Sequence, residues 1–208
     1  MILATLKIDA AKHGLFMMGQ MHDAGDTVVL LGADRGMWPK FQASAEYSDA
    51  MANPLDRWSK RVFAGIADTH GATCVFPSDG PPYAPFIAWA QATGRFWQSP
   101  TGMLIHDRAG LMISIRGALR FPKLLPLEPA LGSSPCDTCI DKPCTQACPV
   151  NALNGDTFYD VPACKAHLGV PEGQECMAGG CLARRVCPVS HNFNRDPEQS
   201  AFHMAAFV

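Results

Sequence analysis

Eight of the nine cysteines of this 208-residue chain fall between Cys136 and Cys187. The apolar core that such a stretch can build is small, so whatever its thiols hold should contribute to its folding. The first run reads Cys136-Asp-Thr-Cys139-Ile-Asp-Lys-Pro-Cys144-Thr-Gln-Ala-Cys148-Pro149-Val150. The second part carries Cys164, Cys176, Cys181 and then Cys187-Pro188-Val189. Two of the cysteines are therefore followed by the same Pro-Val step.

A four-iron cube needs a thiolate at each iron, and thiolate is the soft ligand that iron–sulfur clusters select. A Cys-x-x-Cys loop lets two thiolates converge on one cluster, and a third cysteine a few residues on can join them. A cysteine just before proline, where the chain turns away, is better placed to reach a neighbouring cluster. In the bacterial ferredoxin run the fourth cysteine does ligate the other cluster. The expectation is a crossed pair of [4Fe-4S] sites. Cys136, Cys139 and Cys144 hold one cluster and receive Cys187; Cys148 joins Cys164, Cys176 and Cys181 at the other. The spacing departs from the common ferredoxin pattern, with four residues between Cys139 and Cys144 where that pattern has two, and four again between Cys176 and Cys181. Gly179-Gly180 before Cys181 can adopt backbone angles that allow close approach to a cluster.

Other uses of cysteine are weaker fits. A disulfide framework suits a secreted chain, whereas no secretory signal is seen and the cysteine count is odd. A zinc-binding structural module is the alternative metal reading. It accommodates poorly four cysteines packed into Cys136–Cys148 with proline directly after the last. His167 and His191 flank the runs and could each replace a thiolate, but eight cysteines already suffice. Cys74, inside Thr-Cys-Val-Phe, reads as a small buried hydrophobe.

The composition is 48% apolar with a net charge of −2. That allows one sizeable core plus a small appended unit. No basic stripe points to nucleic acid, and no apolar stretch is long enough to span a bilayer. No Gly-x-Gly-x-x-Gly run or phosphate loop supports nucleotide binding. The expected location is cytoplasmic, where thiols stay reduced until they meet metal.

Residues 1–125 read as an α/β domain, serving as a cofactor or docking unit. Helical spacing covers Ile2–His13. Gly14–Met21, Thr27–Leu31, Thr73–Phe76, Met103–His106 and Leu111–Leu119 read as strands. Asn53-Pro54 opens the clearest helix, with Leu55, Trp58, Val62, Phe63 and Ile66 on one face and an end near Gly71. Ala84–Thr93 is a further helix. Trp38, Trp58, Trp89 and Trp97 either pack the core or line a planar cofactor. Prolines at 122, 126, 129 and 135 mark an extended linker. Residues 126–208 then form the dicluster domain, with Pro149–Leu153 and Ala163–Leu168 each offering a helical turn. Its tail, Asp196–Val208, forms a helix that packs back through Phe202, Met204 and Phe207.

The order of these motifs resembles the ferredoxin-like domain of the epoxyqueuosine reductase family: a four-cysteine run ending in Cys-Pro, an isolated cysteine, and a second run ending in Cys-Pro. Here these are Cys136–Cys148, Cys164 and Cys176–Cys187. The resemblance covers roughly the last third of the chain and agrees with the crossed assignment. It implies a preceding nitroreductase-like part that binds cobalamin, with an acidic proton donor. The segment similar to the family's Asp-x-Gly-Pro turn is Ser78-Asp79-Gly80-Pro81, which makes Asp79 the candidate catalytic residue. The family's helical repeats that engage transfer RNA have no counterpart.

The overall expectation is an α+β protein, with a bacterial-ferredoxin-like C-terminal domain holding two [4Fe-4S] clusters. It exchanges electrons with a redox partner protein and passes them toward a centre or substrate at the N-terminal domain. The fuller alternative is a corrinoid- or flavin-dependent reductase acting on a small molecule.

Overall fold

The two apolar runs near the N-terminus meet as a hairpin. In the computed structural model, which describes residues 2–153 and 159–208, β1 (Leu15–Asp23) pairs antiparallel with β2 (Asp26–Ala33). The turn residues Ala24 and Gly25 both have positive φ, 50° and 88°, as in the two-residue turns whose twist matches that of the flanking strands. β3 (Thr73–Val75) and β6 (Ile115–Phe121) complete a sheet of order β1-β2-β6-β3 in which every pairing is antiparallel. Four-stranded and antiparallel, flanked by helices, this unit is α+β.

Helices cover both faces of the sheet. Gly117 pairs with Leu31 and Gly19 with Leu30, so the two glycines lie on opposite faces. A Cβ on Gly117 would meet the Phe63 ring at 2.7 Å, and one on Gly19 would meet Thr93 at 2.6 Å. Phe63 belongs to α4 (Pro54–His70), and Thr93 caps α5 (Phe86–Ala92). α1 (Ile2–Lys12) packs against β1 and α4. Covered on both sides, Val28–Leu31 of β2 have no solvent exposure, which explains why that run is continuously apolar instead of alternating.

α4 is the helix that the apolar stripe predicts. Leu55, Trp58, Val62, Phe63 and Ile66 are all buried, each such side chain contributing about 1.5–3 kcal/mol relative to exposure. Asn53 does precede it, but in the left-handed conformation and without a side-chain cap bond; its carbonyl instead accepts the Arg57 N–H. Gly71, at φ 65°, ends the helix. Two short helices missed by the sequence reading, α2 (Met37–Gln42) and α3 (Ala45–Ser48), lie between hairpin and α4. Their Trp38, Phe41 and Tyr47 interlock with each other, and Phe41 meets Trp58 at 6.0 Å. Trp89 packs on Phe86. Trp38, Trp58 and Trp89 are thus core residues.

Glu46 of α3 is bound by both arms of the Arg61 guanidinium, at 2.5 and 3.0 Å. That hydrogen-bonded cation holds its carboxyl well below the usual glutamate range, at about 2. A carboxyl whose folded value is depressed stabilises the fold above its unfolded value, and the contribution fades as pH falls toward the folded one. Between pH 6 and pH 3 the native protein should therefore lose more stability in urea than Glu46→Gln does. An equal loss in the two proteins would show that this pair carries no stabilisation.

The chain forms two compact units, Met1–Arg95 with Ser114–Leu131, and Phe96–Ile113 with Gly132–Val208. Residues 96–113, read with the first part, therefore pack with the cysteine-rich part. They form a short hairpin of β4 (Phe96–Gln98) and β5 (Leu104–His106). The strand expected over Leu111–Leu119 starts only at Ile115, because the backbone of Leu111 is engaged by side chains of its own unit. Its N–H donates to Ser190 Oγ at 2.8 Å and its carbonyl accepts from Arg184 at 2.7 Å. The segment after β6, expected to begin an extended linker, is tied back to the sheet. Thr27 Oγ1 donates to the Lys123 carbonyl and accepts the Leu125 N–H, both at 2.8 Å.

The second unit is otherwise short helices: α6 (Val161–Leu168), α7 (Gln174–Gly179), α8 (Leu182–Arg185), α9 (Pro188–Phe193) and α10 (Pro197–Phe207). The expected tail helix is α10, capped by Asp196. It packs on α7, burying Gln199 and Ser200, whereas Phe202, Met204 and Phe207 stay partly exposed. Pro149–Leu153 forms a turn without regular helix. No helix among the described residues is long and apolar enough to cross a membrane.

Candidate metal centres

Cys136, Cys139, Cys144 and Cys187 line one cavity of about 250 Å³ in the second unit. Three different local structures deliver them. Cys136 and Cys139 sit in the turns after Pro135, Cys144 lies in a 3-10 turn over Pro143–Thr145, and Cys187 immediately precedes α9. The rest of the wall is largely apolar. Ile105 and Leu111 pack with Cys144 and Cys187 in one hydrophobic cluster, backed by Trp97, Met103 and Val189. Cys144 and Cys187 are 6% and 5% exposed.

Gly110 brings the hairpin segment to this wall. At φ 59° its α-carbon lies so close to α9 that a Cβ would meet the Ser190 backbone nitrogen at 2.4 Å. Ser190 then takes the Leu111 N–H, and Arg195 donates to the Met112 carbonyl. The hairpin is thus clasped to the helix that starts at Cys187.

Burial first, and then the neighbouring thiols Cys187, Cys136 and Cys139, push the Cys144 thiol up to about 11. Cys136 is raised for the same first reason. These thiols are neutral without metal, so a metal or cluster bound there must displace protons.

The other four cysteines form a second electrostatic neighbourhood. Burial raises Cys176, and so do Cys181, Cys164 and Cys148; Cys164 is raised by burial and by Cys181 and Cys148. Cys148 Sγ accepts the Ala152 N–H at 3.2 Å. Cys164 lies one turn into α6, whose first turn is fixed by the Asp160 carboxylate accepting the Ala163 N–H at 2.9 Å. Gly180, at φ 86° and ψ 169°, occupies a region open essentially to glycine alone. It turns the chain from α7 into Cys181, as the Gly179-Gly180 pair suggests.

No group of three or more His, Cys, Asp or Glu side chains among the described residues is placed to hold a metal ion. The first four thiols line one cavity wall. The donor set fits an inorganic cluster: four soft ligands, an apolar wall, and space between them. No family model matches the chain. The search of curated proteins finds no significant relative.

The remaining sequence candidates lie elsewhere. Asp79, in the first unit, is half-exposed and paired with Lys60 at 2.6 Å. Its N–H donates to the Phe76 carbonyl at 3.1 Å, closing the turn. A cavity of about 270 Å³ ends one residue short of it, lined by Asp56, Phe76, Pro77, Ser78, Ile115 and Arg116. Cys74 is half-buried in β3 with its thiol raised by burial, which makes it a poor nucleophile. His191 is on the exposed side of α9 and His167 is partly buried on α6. One contributor escapes a sequence reading: β4, which pairs with the expected Met103–His106 strand and whose Trp97 backs the first thiols together with Ile105 and Leu111. A three-residue strand such as β4 carries no readable period; the Ser99-Pro100-Thr101-Gly102 turn is its sequence signal.

Proposed function

We propose that the protein holds two [4Fe-4S] clusters, on Cys136, Cys139, Cys144 and Cys187 and on Cys148, Cys164, Cys176 and Cys181, and serves in electron transfer. The observation that carries this reading is the cavity lined by four thiols drawn from both cysteine runs. Bound clusters would supply one-electron chemistry at potentials that the surroundings tune within about −700 to +450 mV. The chain's own residues set those surroundings. Ile105, Leu111 and Val189 make the wall of the first site apolar, which disfavours the added negative charge of the reduced state. The backbone N–H of Ala152 donates to Cys148 Sγ in the second, which favours that charge.

The order of the cysteine runs further supports kinship with the epoxyqueuosine reductase family, and with it a ferredoxin-like second domain and a nitroreductase-like first one. In this proposal a reduced carrier protein of the cytoplasm supplies the electrons, and a centre or small molecule at the first unit accepts them. Asp79 is the proton donor if that acceptor is a substrate.

Oxygen-protected purification followed by iron, acid-labile sulfide and visible-absorption analysis tests the reading. About eight iron and eight sulfide per chain are expected. Colourless protein, or zinc in place of iron, overturns it. A pigment absorbing beyond the cluster bands, or cobalamin retained on incubation, would extend it to a complete reductase.

A further inference from the structure

The cavity of about 270 Å³ in the first unit is lined by a buried cation with unused donors. Its wall is Asp56, Phe76, Pro77, Ser78, Ile115 and Arg116, all within that unit. Arg116 stands at the start of β6, and its side chain is only 12% exposed. A guanidinium carries five N–H donors, and α4 takes two of them. Nε–H donates to Ser59 Oγ at 3.1 Å, and one Nη2 N–H donates to the Asp56 carboxylate. Asp56 and Ser59, three residues apart, share one face of the helix. The Ser59 proton goes to the Leu55 carbonyl at 2.7 Å, so toward Arg116 this hydroxyl only accepts. Among the described residues, Arg116 Nη1 has no hydrogen-bond partner. Burial lowers the pKa of this guanidinium even with Asp56 beside it, as for a buried cation short of negative charge.

We propose that this cavity binds a small organic monocarboxylate, with the ligand's carboxylate held by the Nη1–Nη2 edge of Arg116. That edge of a guanidinium offers two parallel N–H groups, which match the two oxygens of a carboxylate. Phe76, buried, with Pro77 and Ile115, gives the ligand's body an apolar wall, the usual make-up of a small-molecule site. Charge selects a singly charged anion. Asp56 is part of the wall. Lys60, whose ammonium is 5.6 Å from the centre of the Phe76 ring, is already paired with Asp79. The positive charge nearby is thus largely matched, and a doubly charged phosphate would be repelled more strongly by the Asp56 carboxylate. The site goes beyond the two-cluster reading and does not rest on it, because no cysteine lines the cavity.

The test is titration of the intact, oxygen-protected protein with acetate, lactate and benzoate, followed by calorimetry and by amide chemical shifts. Benzoate should bind saturably and more tightly than acetate, because its ring adds apolar contact. The shifts should centre on Phe76, Ser78 and Ile115. Benzamide, the uncharged match, and inorganic phosphate should not displace it. Arg116→Met should weaken benzoate binding about tenfold or more, as expected for loss of hydrogen bonds to a charged group. Asp56→Asn keeps an acceptor for Nη2 and removes a competing charge, so it should bind benzoate more tightly than native protein. That variant decides the question if Arg116→Met does not fold. The proposal is overturned if none of the acids binds saturably, or if the shifts fall on other residues. It is equally overturned by phosphate or benzamide displacing benzoate, by undiminished binding in Arg116→Met, or by no gain in Asp56→Asn. Iron and sulfide counted in the same sample keep the two readings apart: failure here leaves the clusters standing, and iron-free protein leaves this site standing.

Discussion

Cys187→Ala is expected to lose the centre built on Cys136, Cys139 and Cys144 while the one on Cys148, Cys164, Cys176 and Cys181 survives. Iron should fall from about eight to about four per chain, with one paramagnetic signal gone and the other unchanged. The reason is that Cys187 faces the cavity of the first run although its neighbours in sequence, Cys176 and Cys181, belong to the second set. The substitution also opens a gap in an apolar wall in which Cys187 is only 5% exposed. Cys148→Ala should give the mirror result, losing the signal that Cys176→Ala also removes. If Cys187→Ala and Cys176→Ala erased the same signal, each run would hold its own cluster and the crossed arrangement would be wrong.

The second large effect is on stability. Phe63→Ala should destabilise the protein by about 3–5 kcal/mol, the usual range for deleting a buried aromatic ring. Phe63 has no solvent exposure and meets Phe76 edge-on at 5.4 Å. It also fills the space over Gly117 in the middle of β6, where no side chain from the sheet can close the hole. Urea unfolding followed by the fluorescence of the buried Trp38 and Trp58 would measure the loss. A change below about 1 kcal/mol would mean that α4 settles onto the sheet and removes the cavity.

Parts of this molecule were legible because a residue type and a spacing carried their own physical meaning. The stripe on α4 predicted both the helix and its buried face. The cysteine spacing groups Cys136, Cys139 and Cys144 with Cys187, and these four line one cavity. The positive φ of Gly180 likewise answers the glycine pair. What was not legible depends on long-range pairing. Nothing local in Leu111-Met112 says that its backbone will be taken by Arg184, Ser190 and Arg195, so the apolar run was read as a strand. Tyr159 carries no motif; its stacking partner Phe207 is brought to it only by the folded chain. Asn53 shows the converse case, with the position right and the bond different.

The sharing of thiols between early and late segments has a consequence for biogenesis. A nascent polypeptide emerging from the ribosome cannot finish either inorganic centre on its leading cysteines, because Cys136, Cys139 and Cys144 wait for Cys187 and Cys148 waits for Cys181. Under the two-cluster proposal, iron and sulfide would therefore be loaded only after Cys181 and Cys187 have been synthesised, and neither run could be charged alone.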